Sequence, residues 1–150
     1  MQKILVCIGL QKTKLAECGK EGKKIIEWVG AHQSEYDSII AIARKDLMRD
    51  NFDRMGDKIQ NREVEYYDFP VDTHIEVPGY DIDCKHFNKM NEYHLIGIST
   101  SASVLCMAMS LFSNGFNIKV LTKQCCDRKS SKLHQAAIDI MKAYMPIAVV

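Results

Sequence analysis

A chain of 150 residues with 47% hydrophobic side chains has the apolar mass for one domain, residues 1–150, with one core, and too much of it for wholesale disorder. Lys and Arg number 20 against 19 Asp and Glu, a net charge of +1, which gives no electrostatic reason to expect nucleic acid as the main partner. No apolar run approaches the ~20 residues that span a bilayer, so no membrane partner is expected, and the start Met1-Gln2-Lys3 without a signal peptide points to the cytoplasm.

The chain opens on Lys3-Ile4-Leu5-Val6-Cys7-Ile8, ahead of Gly9. Apolar residues at consecutive positions predict a strand covered on both faces, as in the middle of a parallel sheet. Leu15, Cys18, Ile25, Ile26 and Val29 predict one amphipathic helix that tolerates Gly19 and Gly22. Residues 38–43 predict a second buried strand, and residues 44–62 are polar, with room for a short helix. Of the stretches 63–69 and 73–77, the second is favoured as a strand; Pro70 and Pro78 punctuate the surrounding loop. Residues 86–91 predict a short helix, and His94-Leu95-Ile96-Gly97-Ile98 a strand.

The run Ser99-Thr100-Ser101-Ala102-Ser103 then supplies an N-cap zone for a strong helix. That helix sets Val104, Ala108, Leu111 and Phe112 on one face and ends at Asn114-Gly115. Residues 117–121 predict another strand. Ser130 or Ser131 starts a last helix with Leu133, Ala137, Ile140 and Tyr144 on a shared face, and residues 147–150 close the chain as a strand. Strand and helix alternate throughout. The pattern predicts an α/β fold of three layers, α/β/α and Rossmann-like, around a mainly parallel sheet of about six strands.

In such a sheet, ligands bind beyond the carboxyl ends of the strands, where strand order reverses. Four loops leave those ends: residues 9–11, 44–51, 99–103 and 122–127. The third is the most informative. It leads into a helix whose first backbone N–H groups favour an anion or a developing oxyanion, and its small side chains admit a close approach. The ordinary role of Ser and Thr at such a place is to cap the helix.

Three stretches together resemble the isochorismatase-like cysteine hydrolases, a family that includes nicotinamidases and N-carbamoyl amide hydrolases. Ile4-Leu5-Val6-Cys7-Ile8-Gly9-Leu10-Gln11 is similar to the family's first strand with its Asp-Met-Gln type ending. Leu95-Ile96-Gly97-Ile98-Ser99-Thr100-Ser101-Ala102-Ser103-Val104 is similar to its Gly-Ile-x-Thr-Asp-x-Cys-Val segment. Ala108 and then Gly115-Phe116-Asn117-Ile118-Lys119-Val120 follow its small-residue helix, Gly-aromatic turn and Val-rich strand; Cys125, His134, Ala137 and Met141 also fit.

The resemblance implies a reaction carried by an Asp, a Lys and a Cys. The Asp takes the thiol proton, the Lys supports the charge, and the helix start stabilises the oxyanion. Matched by position, the Asp falls on Gly9, the Cys on Ser103, and the Lys near Val77, ahead of Pro78-Gly79-Tyr80, with Asp81 and Lys85 close by. Glycine offers no base, valine is inert, and a serine hydroxyl needs a base beside it. Nicotinamidases also hold a metal with an Asp and two His after the second strand. Here that stretch, residues 44–52, contains Asp46 but no His, so no metal and no cofactor are expected.

Six cysteines remain: Cys7, Cys18, Cys84, Cys106, Cys125 and Cys126. No Cys-x-x-Cys spacing suggests zinc, and scattered thiols in an intracellular chain behave mostly as small buried hydrophobes. Cys106, flanked by apolar residues, reads as core. Cys125 and Cys126, near Lys123 and Arg128, read as the better reactive thiols, at the mouth of the pocket. His32, His74, His86, His94 and His134 show no metal spacing; His74 is the one placed to lead toward the pocket.

The expectation is a non-catalytic relative that binds a small molecule, with Gln11, Tyr80, Ser99, Thr100, Ser101, Ser103 and Cys125 as candidate ligand contacts. It is also expected to form a homo-oligomer, as family members do, with the Met-rich residues 104–112 suited to the interface. Two alternatives stand beside it. One is an active amide or imide hydrolase whose nucleophile has moved to Cys125, Cys106 or Ser103, with an acid such as Asp81. The other is a purely structural assembly subunit.

Overall fold

A computed structural model describes residues 1–44, 70–128 and 130–150. Five parallel strands form one sheet: β1 (Lys3–Ile8), β2 (Ser38–Arg44), β3 (Thr73–Val77), β4 (Glu92–Ile98) and β5 (Asn117–Cys126), in the order β3-β2-β1-β4-β5. The chain builds outward from β1 to β3 on one side, then crosses back to lay β4 and β5 on the other. Strand order therefore reverses between β1 and β4, and a crevice opens beyond their carboxyl ends.

The apolar run of β1 serves two cores. Ile4, Val6 and Ile8 face one cluster, with Val104, Met107, Leu111, Ile138 and Met141 from the helices on that side. Leu5 and Cys7 face the other, with Leu15, Ile25 and Val29. Period-2 alternation thus fills both faces of the sheet, which is why the strand reads as unbroken hydrophobe.

The single early helix expected from sequence is two: α1 (Lys12–Glu17) and α2 (Gly19–His32). Gly19 takes φ 53°, a left-handed conformation that interrupts the helical run. Short 3-10 turns at Gln33–Glu35 and Cys84–His86 join the elements. The second replaces the helix expected over residues 86–91. Asp83 caps it by accepting from the Lys85 N–H, and the Asn88 carboxamide accepts from the Met90 N–H just after it. The expected short helix within residues 44–62 and the stretch 63–69 lie outside the described residues.

A π-helical turn, Thr100–Val104, runs into α3 (Leu105–Ser113). The helix ends as Asn114-Gly115 foretells. Gly115 N–H donates to the Phe112 carbonyl and Phe116 N–H to that of Leu111, the paired bonds of a Schellman ending. The last helix, α4 (Ser131–Tyr144), is capped by the Ser130 hydroxyl, which accepts from the Leu133 N–H at 3.1 Å.

The face of α4 departs from the sequence reading. Ala137, Ile138 and Met141 are buried, while Leu133, Ile140 and Tyr144 lie exposed beside them. At about 100° per residue, the inward direction falls between Ala137 and Ile138, and the other three stand to one side of it. The terminal strand is also absent. Pro146–Ala148 is a 3-10 turn, and Val149 makes only a single bridge to Val120 beside β5. Pro146 lacks the N–H that a ladder needs, so the sixth strand reduces to one contact.

Candidate functional site

At the reversal point, the backbones of β1 and β4 come together through two glycines. Gly97 has φ 137°, and a Cβ built on it would lie 1.9 Å from the Ile8 carbonyl oxygen. Gly9 has φ 66°, and its Cβ would lie 2.4 Å from the Ile98 carbonyl oxygen. Each glycine makes room for the carbonyl of the opposite strand. The Gly9 N–H is also committed, donating to the Ile42 carbonyl at 2.7 Å. A side chain at position 9 would press on the Ile98 carbonyl unless the backbone shifted.

The chain beyond β4 is polar. The Ile98–Ser99 peptide is cis. Thr100 is fully buried, its hydroxyl 2.7 Å from His134 Nδ1. Asp127, just past β5, accepts from both the N–H and the hydroxyl of Ser101. One of the helix-start amides expected to face a ligand is therefore already bound to a carboxylate. Ser103 is buried, and its hydroxyl makes no hydrogen bond to any described residue.

A cavity of about 80 Å³ lies here. Every strand end contributes to its wall: Lys14 on α1 after β1, Arg44 closing β2, Tyr80 after β3, Ser99, Ser101, Ala102 and Ser103 after β4, and Arg128 after β5. Arg44 stacks on the Tyr80 ring at 4.6 Å. Arg128 Nε donates to Glu17 at 2.6 Å, and its backbone N–H lies 3.4 Å from the Ser99 hydroxyl. Lys14 is 7% exposed, a burial that lysine rarely reaches.

Of the ligand contacts expected from sequence, Tyr80, Ser99, Ser101 and Ser103 meet at this cavity. Gln11 is buried beside it and accepts from the Arg44 N–H. Thr100 turns to His134. Cys125 is corrected outright. It lies in the core, its thiol donating to the Leu121 carbonyl, and burial pushes that thiol up to about 12. Cys106 is corrected in the opposite sense: it is exposed. Desolvation and the Asp81 charge still raise its thiol above the ordinary value.

Val77, at the position matched to the family lysine, packs in the core beside Ile75 and Ile82. Lys85 pairs with Asp83 at 3.3 Å on the surface, and His74 is exposed on the edge strand. Sequence reasoning missed Lys14, Arg44 and Arg128 as a group. The only available signal was that each follows closely on a strand's carboxyl end. Asp46 lies outside the described residues; among those described, no three His, Cys, Asp or Glu side chains converge to hold a metal ion. Nor is any described helix long and apolar enough to cross a membrane.

Solved structures share this architecture over essentially the whole chain. Nicotinamidase PncA from Bacillus subtilis superposes with a TM-score of 0.74 at 17% identity, covering 100% of this chain and 99% of the other. An isochorismatase-like hydrolase from Alkaliphilus metalliredigens gives 0.67 at 13% identity, over 99% and 94% of the two chains. The chain has the isochorismatase-like hydrolase fold. A ribonuclease from Caenorhabditis elegans gives 0.69 at 18% identity, over 99% of this chain and 76% of that one, so proteins named for different chemistries share this architecture. No family model matches the sequence, and no curated protein does.

Proposed function

We propose that this chain is a relative of the isochorismatase-like hydrolases that has lost their reaction and uses the remaining crevice to bind a small anion. One observation carries the reading. Three cationic side chains and four hydroxyl-bearing ones surround a cavity whose described lining contains no sulfur. A thiolate reaction needs sulfur, a base and a cation in one place, and only the cation is present among those residues. Guanidinium and ammonium groups in a partly desolvated cleft favour carboxylate, carbonate or phosphate. The volume argues the same way. Pockets for drug-sized ligands run to about 300 Å³ or more, whereas about 80 Å³ suits a few waters or a small oxyanion.

Calorimetric titration with inorganic phosphate, bicarbonate and acetate tests the reading, with nicotinamide as the neutral control. Expected are saturable binding of at least one anion, no heat with nicotinamide, and a loss of about tenfold or more in affinity in Lys14→Met. Equal binding of the neutral amide counts against it.

A second reading is a serine hydrolase in which Lys14, in the same cavity, acts as base to Ser103; Ser–Lys pairs do this chemistry elsewhere. Ser103 makes no hydrogen bond to Lys14, which disfavours it. Amide turnover above background that vanishes in Ser103→Ala would establish it.

Self-association is proposed as well. Its best surface is the exposed row Leu133, Ile140, Tyr144 and Ile147 rather than residues 104–112, whose apolar side chains Val104, Met107, Ala108 and Leu111 are spent on the core. Light scattering showing a monomer at micromolar concentration would discard it.

A further inference from the structure

The hydroxyls in the cavity wall are not alike. A serine hydroxyl has one proton to give, and that of Ser101 is committed: Ser101 Oγ donates to Asp127 Oδ2 at 2.5 Å. The Ser101 N–H donates to the same carboxylate oxygen at 2.9 Å. The direction of the first bond follows from the partner, because an ionised carboxylate only accepts. Ser101 is half-buried and lines the cavity, so what its oxygen offers a ligand is lone pairs, enriched by the charge-assisted bond behind them. Ser99 and Ser103 are different. The Ser99 oxygen accepts from the Arg128 N–H at 3.4 Å, and neither serine's own proton goes to a described residue. We propose, resting on the anion-binding reading above, that the occupant is a small oxyanion that keeps a hydrogen-bond donor of its own, a hydrogen anion of the bicarbonate or hydrogen phosphate type.

The wall divides the work between two kinds of group. Lys14, Arg44 and Arg128 bring positive charge to the cavity, and the hydroxyl protons of Ser99 and Ser103 suit the anion's bare oxygens. Ser101 suits only an atom that donates. A bare oxygen placed against it sets lone pairs against lone pairs, with the Asp127 carboxylate close behind. A methyl group placed there leaves the Ser101 oxygen without a partner, and a site built for a ligand hydroxyl rejects analogues that lack it on that ground. Bicarbonate and acetate therefore form the deciding pair. They share charge and planar shape, and differ in a hydroxyl against a methyl group. Both are small enough for a cavity of about 80 Å³.

The test is calorimetric titration of the full chain with sodium bicarbonate and sodium acetate at equal ionic strength and mildly alkaline pH, where each anion carries one negative charge. It is repeated on Ser101→Ala and on Ser101→Thr, which keeps the oxygen. Expected is bicarbonate binding about tenfold or more tighter than acetate in the native chain and in Ser101→Thr. In Ser101→Ala the two anions bind alike, through loss of bicarbonate affinity with that for acetate unchanged. Thermal melts show which variants fold, and the native-chain comparison decides even where one does not. Acetate binding as tightly as bicarbonate to the native chain overturns the inference while the anion reading stands. A bicarbonate preference undiminished in folded Ser101→Ala also overturns it. Saturable binding of none of bicarbonate, acetate and phosphate overturns both.

Discussion

The two strand ends that frame the crevice, at Gly9 and Ser103, differ in kind. At the end of β1, Gly9 is pressed against the Ile98 carbonyl, and the backbone itself excludes a side chain. At the start of the helix after β4, Ser103 keeps the shape of a cysteine and differs in one atom. The first departure is built into the packing of β1 on β4; the second is chemical only. A position can therefore be closed to a side chain by sterics or left open to a different one, and only the second kind is changed cheaply by one substitution.

Four changes probe that contrast. Gly97→Ala is expected to act most strongly, because its Cβ meets the Ile8 backbone at 1.9 Å with φ at 137°. The expected loss is about 4 kcal/mol or more, read as failure to fold or a collapsed urea midpoint. Gly9→Asp comes next, at about 3 kcal/mol, since the 2.4 Å contact is also with backbone. Near-native stability in that variant would show that β1 and β4 yield easily, and the steric half of the contrast would fall.

Arg128→Met removes one cation and the Glu17 ion pair. It is expected to weaken anion binding by about tenfold while costing about 1 kcal/mol of stability or less, as surface-type pairs do. Ser103→Cys is expected to cost under about 1 kcal/mol, since no hydrogen bond to a described residue is lost. Its new thiol should alkylate in the cationic cavity without restoring amide hydrolysis, for lack of a base at position 9. Hydrolysis by that single variant would refute the claim that position 9 matters. The native thiols add a pH reading. With Cys18 lowered and Cys106 raised, alkylation of Cys18 should set in at lower pH than that of Cys106, although Cys106 is the more exposed. Peptide-resolved labelling from pH 6 to 9 checks the order.

Amide-by-amide apolar runs and turn residues determined much of this molecule in advance. Both faces of β1 are buried, so its hydrophobicity is continuous and its place in a parallel sheet is legible. Gly115 and Ser130 announce helix boundaries because the local backbone demands them. Cys106, read as core from its apolar neighbours, is exposed, and helical spacing carries the reason. Val104, Met107, Ala108 and Leu111 define the inward face of the helix, and Cys106 lies roughly opposite Ala108, outward despite apolar neighbours.

Other features belong to the folded molecule alone. Lys14, Arg44 and Arg128 lie on three separate segments, and each reads in sequence as an ordinary surface cation. They line one cavity only because parallel connections bring all carboxyl strand ends to the same edge. The closure at Gly9 has the same origin: the residue name says that no base is present, and only the approach of the Ile98 carbonyl says that one would press on backbone. Local patterns report on neighbours within a few residues, whereas a cavity at the strand ends arises from contacts across the sheet, and those exist only once the strand order is set.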